Sequence, residues 1–275
     1  MGILNVTPDS FYDKGRYRDV DRARARAAEM VEQGARILDV GGRSYAVNAV
    51  DAREERARVV PAIEALVRDN LGVALSVDTM RPEVAEAVLA AGAHLINDCS
   101  GLYDERLAKI VARYDAGLVV LYLDLAIAHG MIAEPQGPIP ARTARATDLI
   151  GEIIAVVNET TQRALDAGVA RESIVVDPGL EFSKDLEIDL ELLARYGELR
   201  ALGFPILMAC SRKDFLGNVL NRPASELLAA SLAVATIGAL AGAAIVRAHD
   251  VAQTVDVARL VARVRAAGAR TQLYT

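Results

Sequence analysis

Eight short runs rich in β-branched and other apolar residues recur along the chain, and a longer stretch of helical period follows each. The runs are Gly2 to Val6, Ile37 to Val40, Ala74 to Val77, Leu95 to Asn97, Leu118 to Leu123, Ile174 to Val176, Pro205 to Cys210 and Ala244 to Arg247. Near-continuous apolar runs mark strands covered on both faces, as in a parallel sheet wrapped by crossover helices. Asp51 with Glu54 has the form of a capping box, and Pro82 suits a first helical turn that lacks one N–H partner. Gly34, Gly92, Gly168 and Gly203 follow helical patterns and precede strands, where a left-handed residue closes a helix. A doubly wound open sheet would show fewer strands, so the repeated unit predicts a single (β/α)8 TIM barrel.

With 275 residues, 52% of them hydrophobic, the chain can build one barrel core, and one domain over residues 1–275 is expected. Its 37 acidic against 31 basic residues give a net charge of −6, which leaves no broad cationic surface for nucleic acid. Cys99 and Cys210 each sit in an apolar stretch, far apart in sequence, as buried thiols in a reducing compartment would. Asn5, Pro8 and Asp9 interrupt the first apolar run too early for a signal peptide. The longest apolar run, Leu227 to Val246, is alanine-dominated and broken by Ser231, Thr236, Gly238 and Gly242, which suits a packed helix rather than a membrane span. A cytoplasmic protein with no membrane partner is expected.

A barrel's chemistry lies where strands run into βα loops, and the polar residues there are numerous. They are Asn5 and Asp9 in ILNVTPDSF, Asp39 in LDVGG, Asp78 in SVDT, Asn97 and Asp98 in LINDCSG, and Asp177 in VVDPG. The last two strands add Ser211, Arg212 and Lys213 in ACSRKDF, then Arg247, His249 and Asp250 in VRAHDV. Any one of them could be a loop cap or a satisfied buried carboxylate. Together, Asp78, Asn97 and Asp177 suit a flat ligand whose N–H donors are arranged as in a guanidine. Lys213, Arg247 and His249 occupy the quadrant where barrels commonly hold phosphate. A pterin diphosphate fits both walls: breaking its carbon–oxygen bond leaves positive charge beside carboxylates and a departing anion beside cations.

The motifs resemble the dihydropteroate synthase family, from MGILNVTPDSF at the start to IVRAHDV near the end, with NVTPDSF and SRKDFLG the specific segments. The resemblance implies a transferase of folate biosynthesis that joins a dihydropterin methyl diphosphate to p-aminobenzoate. It also implies that Asn5 binds the magnesium-associated diphosphate with Arg247 and His249, and that Asp78, Asn97, Asp177 and Lys213 hold the pterin ring. Thr7 to Gly15 resembles a lid that brings Asp9 and Phe11 to the reacting carbon. Ser44, Tyr45, Glu181, Phe182, Ser211 and Arg212 would face the acceptor. A homodimer is implied too, and the alanine-rich helix expected from Ala224 to Leu240 could pack against a second copy. Mg2+ is expected only through Asn5 and the diphosphate.

Departures from the family pattern cluster in three loops. GGESTRPG becomes GGRSYAVN, with Arg43 for glutamate, Tyr45 for threonine, Ala46 for arginine and Val47 for proline. After the fifth strand LMHMQG becomes LYLDLAI, with Asp124 at the histidine position and a long loop to Arg142 behind it. DPGFGFGK becomes DPGLEFSK, so Glu181 replaces a glycine while Phe182 stays. Three readings follow: a true synthase, with an aminobenzoate pocket reshaped to tolerate sulfonamides; a paralogous pterin transferase with another acceptor; and a pterin-binding protein without turnover. His94 and His129 are read as structural.

Overall fold

The computed structural model describes residues 1–6, 20–43, 50–123, 148–182 and 186–271. Eight parallel strands form at the eight apolar runs: β1 Gly2–Asn5, β2 Ile37–Gly41, β3 Ala74–Asp78, β4 Leu95–Asp98, β5 Gly117–Leu121, β6 Ile174–Asp177, β7 Leu207–Ala209 and β8 Ile245–Arg247. Strands β1 to β6 pair in sequence order, and β7 pairs with β8. Two single bridges, Val176 with Ile206 and Gly2 with Ala248, join the two sets. The ring of strands is therefore closed, and the barrel expected from the sequence is observed. The fifth and seventh strands are shorter than their apolar runs, because Tyr122, Leu123 and Cys210 lie buried beyond the ladder ends.

Nine α-helices occur among the described residues: α1 Val20–Glu32, α2 Ala52–Asp69, α3 Pro82–Ala90, α4 Arg106–Arg113, α5 Leu149–Asp166, α6 Leu186–Ala194, α7 Asp214–Leu220, α8 Leu228–Ala241 and α9 Val251–Thr271. Asp51 caps α2 by accepting from the Glu54 N–H at 2.7 Å, while the Glu54 carboxylate pairs forward with Arg58. Pro82 opens α3, and Gly34, Gly92, Gly168 and Gly203 all have positive φ, as their positions before strands require. The alanine-rich segment is one element shorter than expected: Ala224–Glu226 is a 3-10 turn and α8 starts at Leu228.

Two of the three apolar clusters follow from the two faces of each strand. The larger fills the shell between strands and helices, with Leu38, Val77, Ile96, Leu118 and Val176 pointing outward to it. A smaller one, Leu95, Val119, Leu207 and Ala209 with Val175 and Ile245 beside them, fills part of the barrel's inside. The remaining interior, on β2 to β4 and β8, is polar. Asp39, Ser76, Asn97 and Arg247 meet there, and this asymmetry places the site.

Candidate active site

A cavity of about 210 Å3 opens at the carboxyl ends of the strands, lined by the last residues of β3 to β8: Asp78, Asp98, Leu121, Asp177, Ala209 and Arg247. Asn97, Cys99, Glu181, Phe182 and Lys213 complete its wall. A larger cavity of about 390 Å3 lies at the other end, beside Met1, Ile37 and Ile245, and alanine and valine dominate its wall. Barrels place chemistry at the carboxyl end, and only the smaller cavity gathers opposed charges there.

Strand register explains why the polar groups converge. Asn5 stands beside Gly41, Gly41 beside Asp78, and Asp78 beside Asn97, so one row of the barrel carries three polar side chains. Gly41 has no side chain to fill the row; a Cβ there would stand 2.9 Å from the Asn5 Oδ1 atom. Two residues down β2, the fully buried Asp39 carboxylate accepts from Arg247 Nε at 2.6 Å, Asn97 Nδ2 at 3.0 Å and Ser76 Oγ at 2.5 Å. Arg247 also donates from Nη2 to Asp78 Oδ2 at 3.0 Å. Arg247 thus bridges two carboxylates, and its guanidinium and the Asn97 amide are both held by Asp39. The sequence marked Asp39 as a strand-end polar residue without giving it a role. Its signal was a carboxylate inside an apolar run, whose inward direction only the register reveals.

Asp177 accepts from the Gly179 N–H at 2.7 Å, which shapes the turn after β6. Beyond that turn, Lys213 Nζ donates to the Leu180 carbonyl and lies 5.0 Å from the Phe182 ring centroid. Glu181 Oε1 accepts from the Phe215 N–H at 2.9 Å. Burial raises the Glu181 carboxyl above its usual range, against the lowering pull of Lys213 and the Phe215 N–H. Burial likewise raises Asp98, whose oxygens accept from Ser100 and Leu102 in the turn after β4. Arg43 Nη2 donates to Cys99 Sγ at 2.9 Å, bringing the second loop's new cation to the cavity rim.

Ser211 and His249 lie beside the cavity rather than in its wall. The Ser211 Oγ atom accepts from the His249 N–H at 3.1 Å and is 3.2 Å from its Nδ1. Desolvation, then Arg247, lowers the His249 imidazole to about 4, so the resting side chain is neutral. Arg212 is placed differently from its neighbours in SRK. Its backbone is left-handed at φ 57°, and its guanidinium grips both oxygens of Asp250 at 2.8 and 2.9 Å and the carbonyls of Ala224 and Ser225. It braces the loop instead of facing an acceptor. His94 accepts from the Leu75 N–H through Nδ1, a structural role as expected. Asp9, Phe11, Ser44, Tyr45, Ala46, Val47, Asp124 and His129 lie outside the described residues.

Carboxylates and an amide thus face a lysine and an arginine at the strand ends of a closed (β/α)8 barrel, the end at which barrel enzymes carry their chemistry. The family described as "Pterin binding enzyme" matches residues 1–249. The dihydropteroate synthase of Bacillus subtilis (strain 168) is 37% identical over 264 residues, covering 95% of this chain and 86% of that protein. A solved Yersinia pestis dihydropteroate synthase with a sulfonamide drug superposes with a TM-score of 0.88 at 35% identity, covering 97% of this chain and 93% of that one. The Xanthomonas albilineans dihydropteroate synthase solved with 4-aminobenzoic acid gives a TM-score of 0.84 at 35% identity, covering 97% and 92%. The chain belongs to the dihydropteroate synthase family of pterin-binding enzymes.

Proposed function

We propose that the chain joins 6-hydroxymethyl-7,8-dihydropterin diphosphate to p-aminobenzoate and releases diphosphate, the reaction of a dihydropteroate synthase in folate biosynthesis. The convergence of Asp78, Asn97, Asp177, Lys213 and Arg247 on one cavity supports this reading most directly. Asp78, Asn97 and Asp177 offer acceptors to the ring's N–H groups, and Lys213 meets its carbonyl side. The methylene carbon–oxygen bond breaks, the electron pair leaves with diphosphate, and the amine nitrogen forms the new bond and loses a proton. Asp9 and Phe11 would approach the reacting carbon, while Asn5, Arg247 and His249 hold the departing anion. Ser44, Tyr45, Phe182 and Ser211 would line the acceptor's side. Carboxylates around the methylene favour its developing positive charge, which is where preorganised groups do most for rate.

A single amide oxygen, Asn5 Oδ1, suits Mg2+ bound chiefly by diphosphate and water, since this ion keeps much of its hydration. The ion would neutralise charge on the leaving group. Exposed Ile237 and Leu240 on α8, with Leu260 and Val264 on α9, support a homodimer through these packed helices. No described helix is long and apolar enough to cross a membrane. The two buried cysteines, neither in a disulfide, suit a reducing compartment such as the cytoplasm.

Glu181 in the cavity wall and Arg43 at its rim favour, as a second reading, the same pterin chemistry with another acceptor. Supplying the pterin diphosphate with and without p-aminobenzoate, while measuring diphosphate and dihydropteroate, tests both. Matched formation of the two products is expected. Diphosphate release without dihydropteroate would transfer support to the second reading, and pterin binding without release would make the chain a binding protein.

A further inference from the structure

We infer that Glu181 is a positioning residue for Lys213, acting as a latch between the loop after β6 and the first turn of α7. The inference rests on the pterin reading of the cavity. Three contacts join residues 180–182 to residues 213–215: Lys213 Nζ to the Leu180 carbonyl, the Lys213 ammonium over Phe182, and the Phe215 N–H to Glu181 Oε1 at 2.9 Å. The first N–H groups of a helix have no partner within it, and Lys213, at the N-cap of α7, supplies no side-chain cap. Glu181 provides the missing acceptor from 34 residues away.

The backbone at Glu181 shows how specifically the carboxylate is aimed. Its φ is 69°, a left-handed conformation that side chains adopt at a cost and glycine adopts freely. The Glu181 N–H is fixed by Asp189 Oδ1 at 2.8 Å, and Asp189 is itself buried on α6. Held at the turn, the side chain runs across the gap to α7 and forms part of the cavity wall. With the latch closed, the first turn of α7 fixes the Lys213 stem, and the Leu180 carbonyl and Phe182 ring fix its head.

Two variants separate the latch from the charge. Glu181→Gln keeps an oxygen that accepts from Phe215, whereas Glu181→Gly removes the latch and suits the left-handed backbone, so both should fold. In the unliganded protein, hydrogen exchange at the Phe215 amide should rise about tenfold in Glu181→Gly, the equivalent of one hydrogen bond, and stay near wild type in Glu181→Gln. With the pterin diphosphate, KM should rise about tenfold in Glu181→Gly and be rescued in Glu181→Gln, with kcat less affected. Equal damage in both variants would overturn the latch in favour of the charge, and indifference of both would overturn any role. Exchange is read without substrate, so a wild type that fails to bind pterin sinks the functional reading while the Phe215 result still decides whether the latch exists.

Discussion

The two walls of the cavity are built by opposite means. On β2 to β4 and β8, side chains hold side chains: Asp39 fixes Arg247 and Asn97, and Arg247 reaches on to Asp78. On the β6 and β7 loops, side chains hold backbone: Lys213 on the Leu180 carbonyl, Glu181 on the Phe215 N–H. The first wall stands on strands whose register fixes every Cα, so its geometry survives only if each partner is present. The second stands on loop turns, where any residue with the right acceptor can serve. The departures Arg43 and Glu181 both lie in loops, after β2 and after β6, whereas the strand-end residues Asp78, Asn97 and Asp177 keep the family pattern.

Removing the centre of the first wall should have the largest effect. Asp39→Ala removes one of the carboxylates that the partly buried Arg247 guanidinium bridges and takes away the acceptor of the Asn97 amide. A loss of about 3 kcal/mol in stability is expected, because breaking a buried pair by deleting one partner strands the other charge. Urea unfolding measures it, and pterin affinity in the folded fraction should fall by at least about tenfold. A loss under about 1 kcal/mol would mean that the strands, not Asp39, set the geometry of this wall.

His249 tests how the two walls meet, since its imidazole lies beside Ser211, two residues past β7, and near Arg247 of β8. Its folded value of about 4 lies below the 6.5 of an ordinary imidazole, so the folded protein resists the proton that the unfolded chain accepts. Stability contributed by the neutral ring is present above pH 6.5 and is lost as pH falls toward about 4. Within that window the wild type should lose up to about 1.4 kcal/mol more per pH unit than His249→Asn. Parallel stability curves for the two proteins would show that the ring is freely solvated and plays no part in joining the walls.

The barrel was legible because strands covered on both faces write themselves as continuous apolar runs, and Gly34, Gly92, Gly168 and Gly203 mark helix ends before four of them. Asp78, Asn97, Asp177, Lys213 and Arg247 were legible because each stands at or just past the end of such a run. Asp39 was visible as a residue but not as a hub, since only register shows that it points at the same interior space as Arg247, 208 positions away. Arg212 was misread because SRK scans as one polar block, while a left-handed turn sends its middle side chain to Asp250. Glu181 stood out as a departure, yet its partner, a backbone N–H in the first turn of α7, leaves no trace in residue identity.

The smallest expected effect concerns Phe182, the apolar member of the loop-built wall. Phe182→Leu keeps an apolar surface against the cavity but removes the ring face 5.0 Å from the Lys213 ammonium. A cation over an aromatic face at a partly exposed position contributes about 0.5–1 kcal/mol, so KM for the pterin diphosphate should rise about two- to fivefold with stability little changed. No change at all would leave the Leu180 carbonyl and the Glu181 latch as sufficient to hold Lys213. A rise well beyond tenfold would exceed what a cation on this ring supplies and would place Phe182 against the substrate itself. Either result ranks the second wall's contacts, because Leu180 and Phe182 hold the Lys213 head directly while Glu181 holds the helical turn that follows it.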